Sequence, residues 1–278
     1  MATVAFIGFG ELGASLGAAF SAAGHDVRAW TRAGASGVET LDAAVAGAEL
    51  VVSAVPGAAS ADVARDVIPL MAAGACFVDM TAAAPASKEG AARAAAERGV
   101  LYADAAVLGT VATSGAAVPI AAAGTGAEAL RELATPAGLV IDIIGGEAGQ
   151  AARLKLIRSV YMKGRDALVL EMMVAARRLG LEDEVAESIA GPGEQVPFPE
   201  PSERVLRALA IHAGRRAEEL ESSADVLREA GVDPIVTTAG SERLRRLAQL
   251  GLRERLGGVR PSEGSTTLDA AAAEPPPS

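Results

Sequence analysis

Thr3-Val4-Ala5-Phe6-Ile7-Gly8-Phe9-Gly10-Glu11-Leu12-Gly13-Ala14-Ser15-Leu16-Gly17-Ala18-Ala19-Phe20 is the stretch whose reading decides the fold class. Residues 3–7 form an apolar run that reads as a buried strand. Gly8, Gly10 and Gly13 then follow the spacing G-x-G-x-x-G, and an alanine-rich helical stretch opens behind them. A dinucleotide site requires this order. Gly8 permits the tight turn, Gly10 lets a pyrophosphate approach the backbone, and Gly13 lets the helix lie close to the strand. The helix start then offers unpaired amides and a positive dipole end to phosphate. The expected cofactor contacts here are Gly8, Phe9, Gly10, Glu11, Leu12 and Gly13.

Outward from that turn, apolar runs at 26–30, 50–55, 76–80, 100–104, 118–123 and 139–143 predict further strands. Helical patterns lie between the early ones, at 11–23, 60–71 and 85–98. Strands alternating with helices predict a parallel sheet covered on both faces. Ser36 to Glu39 and Thr125 to Glu128 fit the S/T-x-x-E capping box. After Gly149 the pattern becomes helical, with stretches at 151–179, 182–189, 202–230 and 233–256. Residues 191–201, rich in Pro and Gly, predict a loop. The expected architecture is an α/β Rossmann domain over 1–150, followed by an all-α domain over 151–256. Residues 257–278 are expected to be a disordered tail.

Composition excludes several classes. Basic residues number 25 against 35 acidic ones, a net charge of −10, so phosphate-neutralising nucleic-acid binding is disfavoured. Aromatic residues are 3% of the chain, too few for base-stacking platforms. The single cysteine, Cys76, cannot form an internal disulfide or a zinc cluster. Two histidines, His25 and His212, leave little for a His-based triad or metal site, and no metal is expected. His25 reads as a turn residue entering the second strand. The beginning of the chain lacks the basic region of a signal peptide. The uncharged stretch 105–127 is broken by Pro119 and rich in Ala and Gly, so it does not read as a membrane span. A cytoplasmic protein that contacts neither membrane nor nucleic acid is expected.

The second strand ends in Thr31-Arg32, where an NAD site usually carries a carboxylate for the ribose hydroxyls. A hydroxyl and a guanidinium suit a 2′-phosphate instead, which predicts NADP (NADPH) as the cofactor. Val55 and Pro56 end the third strand and Thr81 follows the fourth. In a doubly wound sheet these positions face the cofactor cleft.

Of the 25 basic residues only Lys88, Lys155 and Lys163 are lysines. Arg serves wherever a generic positive charge would do. Lysine differs in that desolvation can bring its pKa into a useful range. Lys155, Ser159 and Lys163 recur at four-residue steps, so they share one helix face. That face reads either as a catalytic cleft wall or as a solvated surface.

Four stretches resemble the β-hydroxyacid dehydrogenase superfamily, which includes 3-hydroxyisobutyrate dehydrogenase and the NAD-binding domain of 6-phosphogluconate dehydrogenase. They are the glycine turn, the strand end Ala29-Trp30-Thr31-Arg32, the loop Asp104-Ala105-Ala106-Val107-Leu108-Gly109-Thr110, and Gly146-Glu147-Ala148-Gly149-Gln150-Ala151 with Lys155 and Ser159. The last two are similar to the family's D-A-P-V-S-G-G and G-x-x-G-x-G-x-x-x-K-x-x-x-N. Residues 155–171 resemble a sub-branch with a helical domain of its own type. The resemblance implies hydride transfer between a nicotinamide and a small hydroxy acid or its carbonyl form, with Lys155 as general acid/base. It also implies a substrate region at Val107, Leu108, Gly109 and Ser159, beside which Thr81, at its strand end, and Lys163, on the helix face of Lys155, are expected.

The departures bear on the substrate. Ala106, Leu108 and Thr110 replace the family's Pro, Ser and Gly. Ala151 replaces Gly, Ser159 replaces Asn, and Ala82 stands where a hydroxyl is common. The pocket expected is more apolar, for a substrate bulkier or less acidic than 3-hydroxyisobutyrate, with Lys163 supplying the anion contact. The long apolar helix after Gly149 suggests a homodimer through the helical domain. The alternatives are an imine reductase, a decarboxylating 6-phosphogluconate-type enzyme, or a protein that binds NADPH without turnover. Imine reductases usually lack the motif lysine.

Overall fold

β1 (Thr3–Ile7) buries side chains on both faces, with Val4 and Phe6 on one and Ala5 and Ile7 on the other. This two-residue alternation within a wholly apolar run is the signature of a central strand. The structure is a computed structural model that describes residues 1–34, 38, 40–189 and 199–273. Some side chains within the helices lie outside the description, Ser159 and Lys163 among them.

Six further strands join β1: β2 (Asp26–Trp30), β3 (Leu50–Ser53), β4 (Cys76–Asp79), β5 (Leu101–Val107), β6 (Ile120–Ala123) and β7 (Ile141–Ile143). They form one seven-stranded sheet in the order β2-β1-β3-β4-β5-β6-β7. The direction of winding reverses at β1, so its end and that of β3 flank a crevice. On one face lie α1 (Glu11–Ala22), α5 (Val111–Ser114) and α6 (Ala127–Ala134). Leu16 and Phe20 of α1 and Leu130 of α6 cluster there with Phe6 and Val52 of the sheet. On the other lie α3 (Ser60–Val67) and α4 (Pro85–Ala96), over Ile7, Val51, Phe77 and Tyr102. The Rossmann-type sheet followed by helices is therefore present.

Two expectations need correction within this part. The sheet is not wholly parallel, because β6 pairs antiparallel with β5, and β7 then runs parallel to β6. The capping box at Thr125 is not formed. The Thr125 hydroxyl instead accepts the Tyr102 amide at 3.0 Å, and α6 starts at Ala127 with no side-chain cap. Ser36 and Glu39 lie outside the described residues. A cap is present at Thr40, whose hydroxyl accepts the Ala43 amide at the start of α2 (Leu41–Val45).

The second half is helical: α7 (Gln150–Leu179), α8 (Glu182–Ile189), α9 (Pro199–Glu229), α10 (Ile235–Gln249), α11 (Leu252–Arg255) and α12 (Ser265–Ala272). By internal contacts the chain divides into units 1–159 and 160–278, and the division falls within α7. In the second unit Ala210, Ile211, Ala213, Leu247 and Leu252 form a core. Of the expected loop 191–201, residues 191–198 lie outside the described residues, whereas 199–201 belong to α9. Proline is compatible with a first helical turn, where its missing N–H has no partner to lose. The helix expected over 233–256 is broken at Gly251, which has φ +66°. Of the tail expected to be disordered, residues 274–278 lie outside the described residues, whereas 257–273 are described and include α12. The hydroxyl of Thr267 in α12 donates to the Leu206 carbonyl at 2.8 Å, and Arg207 Nε donates to the Pro261 carbonyl at 2.8 Å. Among the described residues no helix is long and apolar enough to cross a membrane.

Tight packing sets a two-sided test. A Cβ at Gly126 would stand 2.5 Å from Cys76 Sγ and 2.9 Å from the Tyr102 carbonyl carbon, whereas one at Gly90 would meet only the tip of Arg93, at 3.9 Å. Gly126→Ala should destabilise by about 1–3 kcal/mol through overpacking. Gly90→Ala, inside a helix, should stabilise by about 0.5–1 kcal/mol. Urea unfolding followed by circular dichroism checks both signs.

Candidate functional site

At the end of β1 the chain turns through Gly8, at φ +91°. The Gly8 amide donates to the Trp30 carbonyl at 3.0 Å, which ties the turn to the end of β2. A Cβ at Gly8 would lie 2.9 Å from the Ala54 carbonyl and from Val55 Cγ1, and one at Gly13 would lie 2.5 Å from the Gly8 oxygen. Both positions exclude any side chain. Around Gly10 there is open space, with nothing within 4 Å of a built Cβ. α1 begins just beyond it with no side-chain cap on its first amides. The turn thus presents bare amides toward open space, as a pyrophosphate cradle would.

Phe9 and Leu12 pack toward the core. The Phe9 ring meets Phe6 edge-on at 5.9 Å and covers Gly17. These two positions offer a ligand their backbone, not their side chains. Glu11 is exposed. His25 is a turn residue whose Nδ1 accepts the Ala2 amide at 3.2 Å.

At the tip of β2 the Thr31 hydroxyl is buried and has no hydrogen-bond partner. A buried orphan of this kind costs roughly 1–3 kcal/mol. It fits a polar ligand group beside it. Arg32 is exposed, and no protein group pairs with it among the described residues. Just past the end of β3, Val55 is half-buried and Pro56 is exposed. The next residue, Gly57, lies so close to the following loop that a Cβ would stand 2.9 Å from the Ala82 carbonyl. Thr81 is buried. Its amide donates to Asp79 Oδ1 at 2.9 Å, and its hydroxyl accepts the Ala83 amide at 3.2 Å.

Beneath Thr81 runs a buried polar network that sequence reading did not assemble. Asp79 Oδ2 accepts hydrogen bonds from the Ser60 and Tyr102 hydroxyls, both at 2.9 Å. Lys88 is 1% exposed, and its Nζ donates to the Asp79 carbonyl at 2.9 Å and to Asp104 Oδ1 at 2.8 Å. Asp104 Oδ2 accepts the Gly149 and Ala152 amides at 2.9 and 3.0 Å, where α7 begins. Burial and the Asp79 charge push the Tyr102 phenol well above its ordinary pKa. One signal could have pointed here, since Lys88 is one of only three lysines in an arginine-rich chain. Ser53, paired with Asp79 across the sheet, also carries a buried hydroxyl without a partner.

Lys155 lies one turn beyond Ala152 and is half-buried. Desolvation by burial lowers its pKa, the charges of Lys88 and Arg158 lower it further, and Asp104 opposes them. A lysine so placed can exchange a proton more readily than a solvated one. Val107 ends β5 and is buried, whereas Gly109 is exposed. The Leu108 amide donates to the Pro119 carbonyl at 2.8 Å, and its side chain packs beside Ala106, Ala121, Ala151 and Leu154. The β5 loop and the first turns of α7 therefore share one apolar seam. Ser159 and Lys163 fall on the same helix, but their side chains lie outside the described residues.

Cys76 has no part in this arrangement, because burial pushes its thiol up to about 12. An open cavity of about 410 Å³, lined by Glu89, Arg93, Tyr102, Thr125 and Glu147, lies where β5 begins, the edge opposite the glycine turn. Among the described residues no His, Cys, Asp and Glu cluster could hold a metal.

Residues 3–137 match the family model described as the NAD binding domain of 6-phosphogluconate dehydrogenase, and residues 176–247 match a domain of unknown function. An uncharacterized 28.5 kDa protein of Methanothermus fervidus is 37% identical over 83 residues, which is 30% of this chain and 33% of that protein. The 2-(hydroxymethyl)glutarate dehydrogenase of Eubacterium barkeri is 27% identical over 209 residues, 68% of each chain. A reductive aminase from Aspergillus terreus, solved with NADPH and ethyl levulinate, shares the fold at a TM-score of 0.76, with 19% identity over 97% of this chain and 99% of that one. Residues 3–137 are thus an NAD binding domain of the 6-phosphogluconate dehydrogenase family, and the similarities of the chain are those of the β-hydroxyacid dehydrogenase superfamily of NAD(P)-dependent dehydrogenases and reductases.

Proposed function

We propose that the protein is an NADP-dependent oxidoreductase that interconverts a small hydroxy acid and its carbonyl form, with Lys155 as general acid/base. The observation that carries this reading is the half-buried Lys155, its pKa lowered, on the first turns of α7 beside the buried Lys88 and Asp104. The E. barkeri relative named a hydroxymethylglutarate dehydrogenase supports the substrate class. The fold shared with a reductive aminase does not displace it, because a lysine poised for proton exchange is what a carbonyl oxygen or hydroxyl requires.

The amides of the glycine turn would hold the pyrophosphate, and Thr31 with Arg32 the 2′-phosphate. Val55, Pro56 and Thr81 would border the nicotinamide half. When bound, the dinucleotide supplies or accepts the hydride. Lys155 Nζ delivers a proton to the carbonyl oxygen in reduction and removes the hydroxyl proton in oxidation. Thr81, Val107, Leu108 and Gly109 would border the substrate, and the apolar Leu108 favours a bulkier or less acidic one. Ser159 and Lys163, four and eight residues past Lys155, would meet its far end. The same proposal includes a cytoplasmic homodimer formed through the helical half. Leu156, Ile157, Leu168 and Leu170 of α7 are exposed, and sedimentation would show the dimer.

Cofactor preference is the first measurement. Titration followed by cofactor fluorescence should show tighter binding of NADPH than NADH. Arg32→Ala should weaken NADPH by about tenfold or more, the worth of a charged hydrogen bond, and leave NADH nearly unchanged. Equal binding of both cofactors before and after the substitution would exclude a 2′-phosphate site.

Turnover is then screened on β-hydroxyacids, their semialdehydes and cyclic imines. Lys155→Ala should lower kcat by about 10²–10⁴ with NADPH affinity intact. Reduction needs the charged lysine, so its rate should fall as pH rises through the lowered pKa, below the ordinary lysine range. Oxidation needs the neutral amine and should rise over the same interval. Turnover of imines that survives Lys155→Ala would replace the carbonyl reading.

A further inference from the structure

Lys88 is an expensive residue to keep where it is. It is 1% exposed, and a buried charge is tolerated only when paired and hydrogen-bonded. An apolar side chain would fill the gap between α4 and the sheet without that cost. The partners of Lys88 are not arranged around it alone. Each is also tied to a segment that carries a candidate site residue. Asp104 gives one carboxylate oxygen to Lys88 and the other to the Gly149 and Ala152 amides. Ala152 and Lys155 are three residues apart on α7, so they lie on nearly the same face. Asp79 gives its carbonyl to Lys88, and its carboxylate holds the Thr81 amide.

We propose that Lys88 is a positioning residue for Lys155, acting through the Asp104 carboxylate that it shares with the first turn of α7 and through its own charge beside the Lys155 amine. The proposal rests on the reading of Lys155 as the acid/base. Without Lys88, Asp104 would be a buried anion held only by two amides. Its rotamer would no longer be set from the β4 side, and the rotation of α7 about its axis would lose its reference. Lys88 also confronts Lys155 with a like charge, whereas Asp104 attracts it and Arg158 repels it. The two members of the pair therefore act on Lys155 with opposite sign. General support of the fold by either residue would not produce that pattern.

The chain holds only three lysines, which permits a direct test. Protein grown on ¹³C-lysine gives three side-chain signals, and Lys163→Arg and Lys155→Ala assign them. In the unsubstituted protein the Lys155 signal should titrate below the ordinary lysine range. Lys88→Met should raise the Lys155 midpoint by roughly one unit, the loss of a neighbouring like charge. Asp104→Asn should lower it by a similar amount, and Lys88→Arg, which keeps the charge, should restore it most of the way. If Lys88→Met does not fold, Asp104→Asn decides alone, and an unchanged or raised midpoint overturns the proposal. Shifts of the same sign in both variants also overturn it, since they report general loosening. The readout needs no substrate, so it is separate from the Lys155→Ala activity test. Lost turnover without these shifts refutes the positioning role alone. Shifts with undiminished turnover in Lys155→Ala refute the acid/base reading on which it rests.

Discussion

The Asp104 carboxylate has two oxygens and no access to water, so both must be satisfied from within the protein. One takes the buried Lys88, and the other takes two amides of a helix start 45 or more residues away. That requirement joins β5, α4 and α7 at one point. A helix start has amides without partners, and a buried anion needs donors, so each removes the other's deficit. The first turns of α7 are fixed to the sheet by this exchange. The half-buried position of Lys155 follows from it.

The glycine turn works by exclusion, where the carboxylate works by attraction. Gly8 and Gly13 touch backbone so closely that no side chain fits, while Gly10 faces open space. The three glycines of one motif thus have different reasons to be glycine. Only Gly10 is left free for a ligand. Thr31, with its orphaned hydroxyl, stands at the neighbouring strand tip, and the Gly8 amide bonds the residue just before it. The same turn that makes room for a pyrophosphate therefore also fixes the end of β2.

Much of this was legible in the sequence because burial on both faces leaves a mark. Continuous apolar runs located all seven strands, and β1 and β2 were found at their observed limits. An apolar run carries no direction, however, so the antiparallel entry of β6 could not be read from it. The capping box at Thr125 failed because a strand amide, from Tyr102, competes for the same hydroxyl, and that competitor is 23 residues away. Lys88 was visible as a rare lysine, but its meaning depends on Asp79 and Asp104. Those two sit opposite each other only once β4 and β5 are paired in register. For Lys155 the reverse holds: helical spacing and the motif pointed to it before any contact was known. The helix at 265–272 was missed because residue content measures average propensity. Thr267 and Glu203 make specific bonds that an average does not register.

The reversal at β6 has a geometric consequence of its own. A chain leaving a strand parallel to β1 emerges at the edge where the glycine turn lies, and a helix starting there must travel away from it. Because β6 and β7 run the other way, the chain leaves β7 at the opposite edge. α7 then starts beside the middle of β5, with its first amides on Asp104, and Lys155 follows five residues after Gln150, about 8 Å of helical rise. One change of strand direction thus turns an outgoing connection into a returning one. It delivers the lysine amine toward the edge where the β4 carbonyl of Asp79 holds Lys88, and where a nicotinamide would enter.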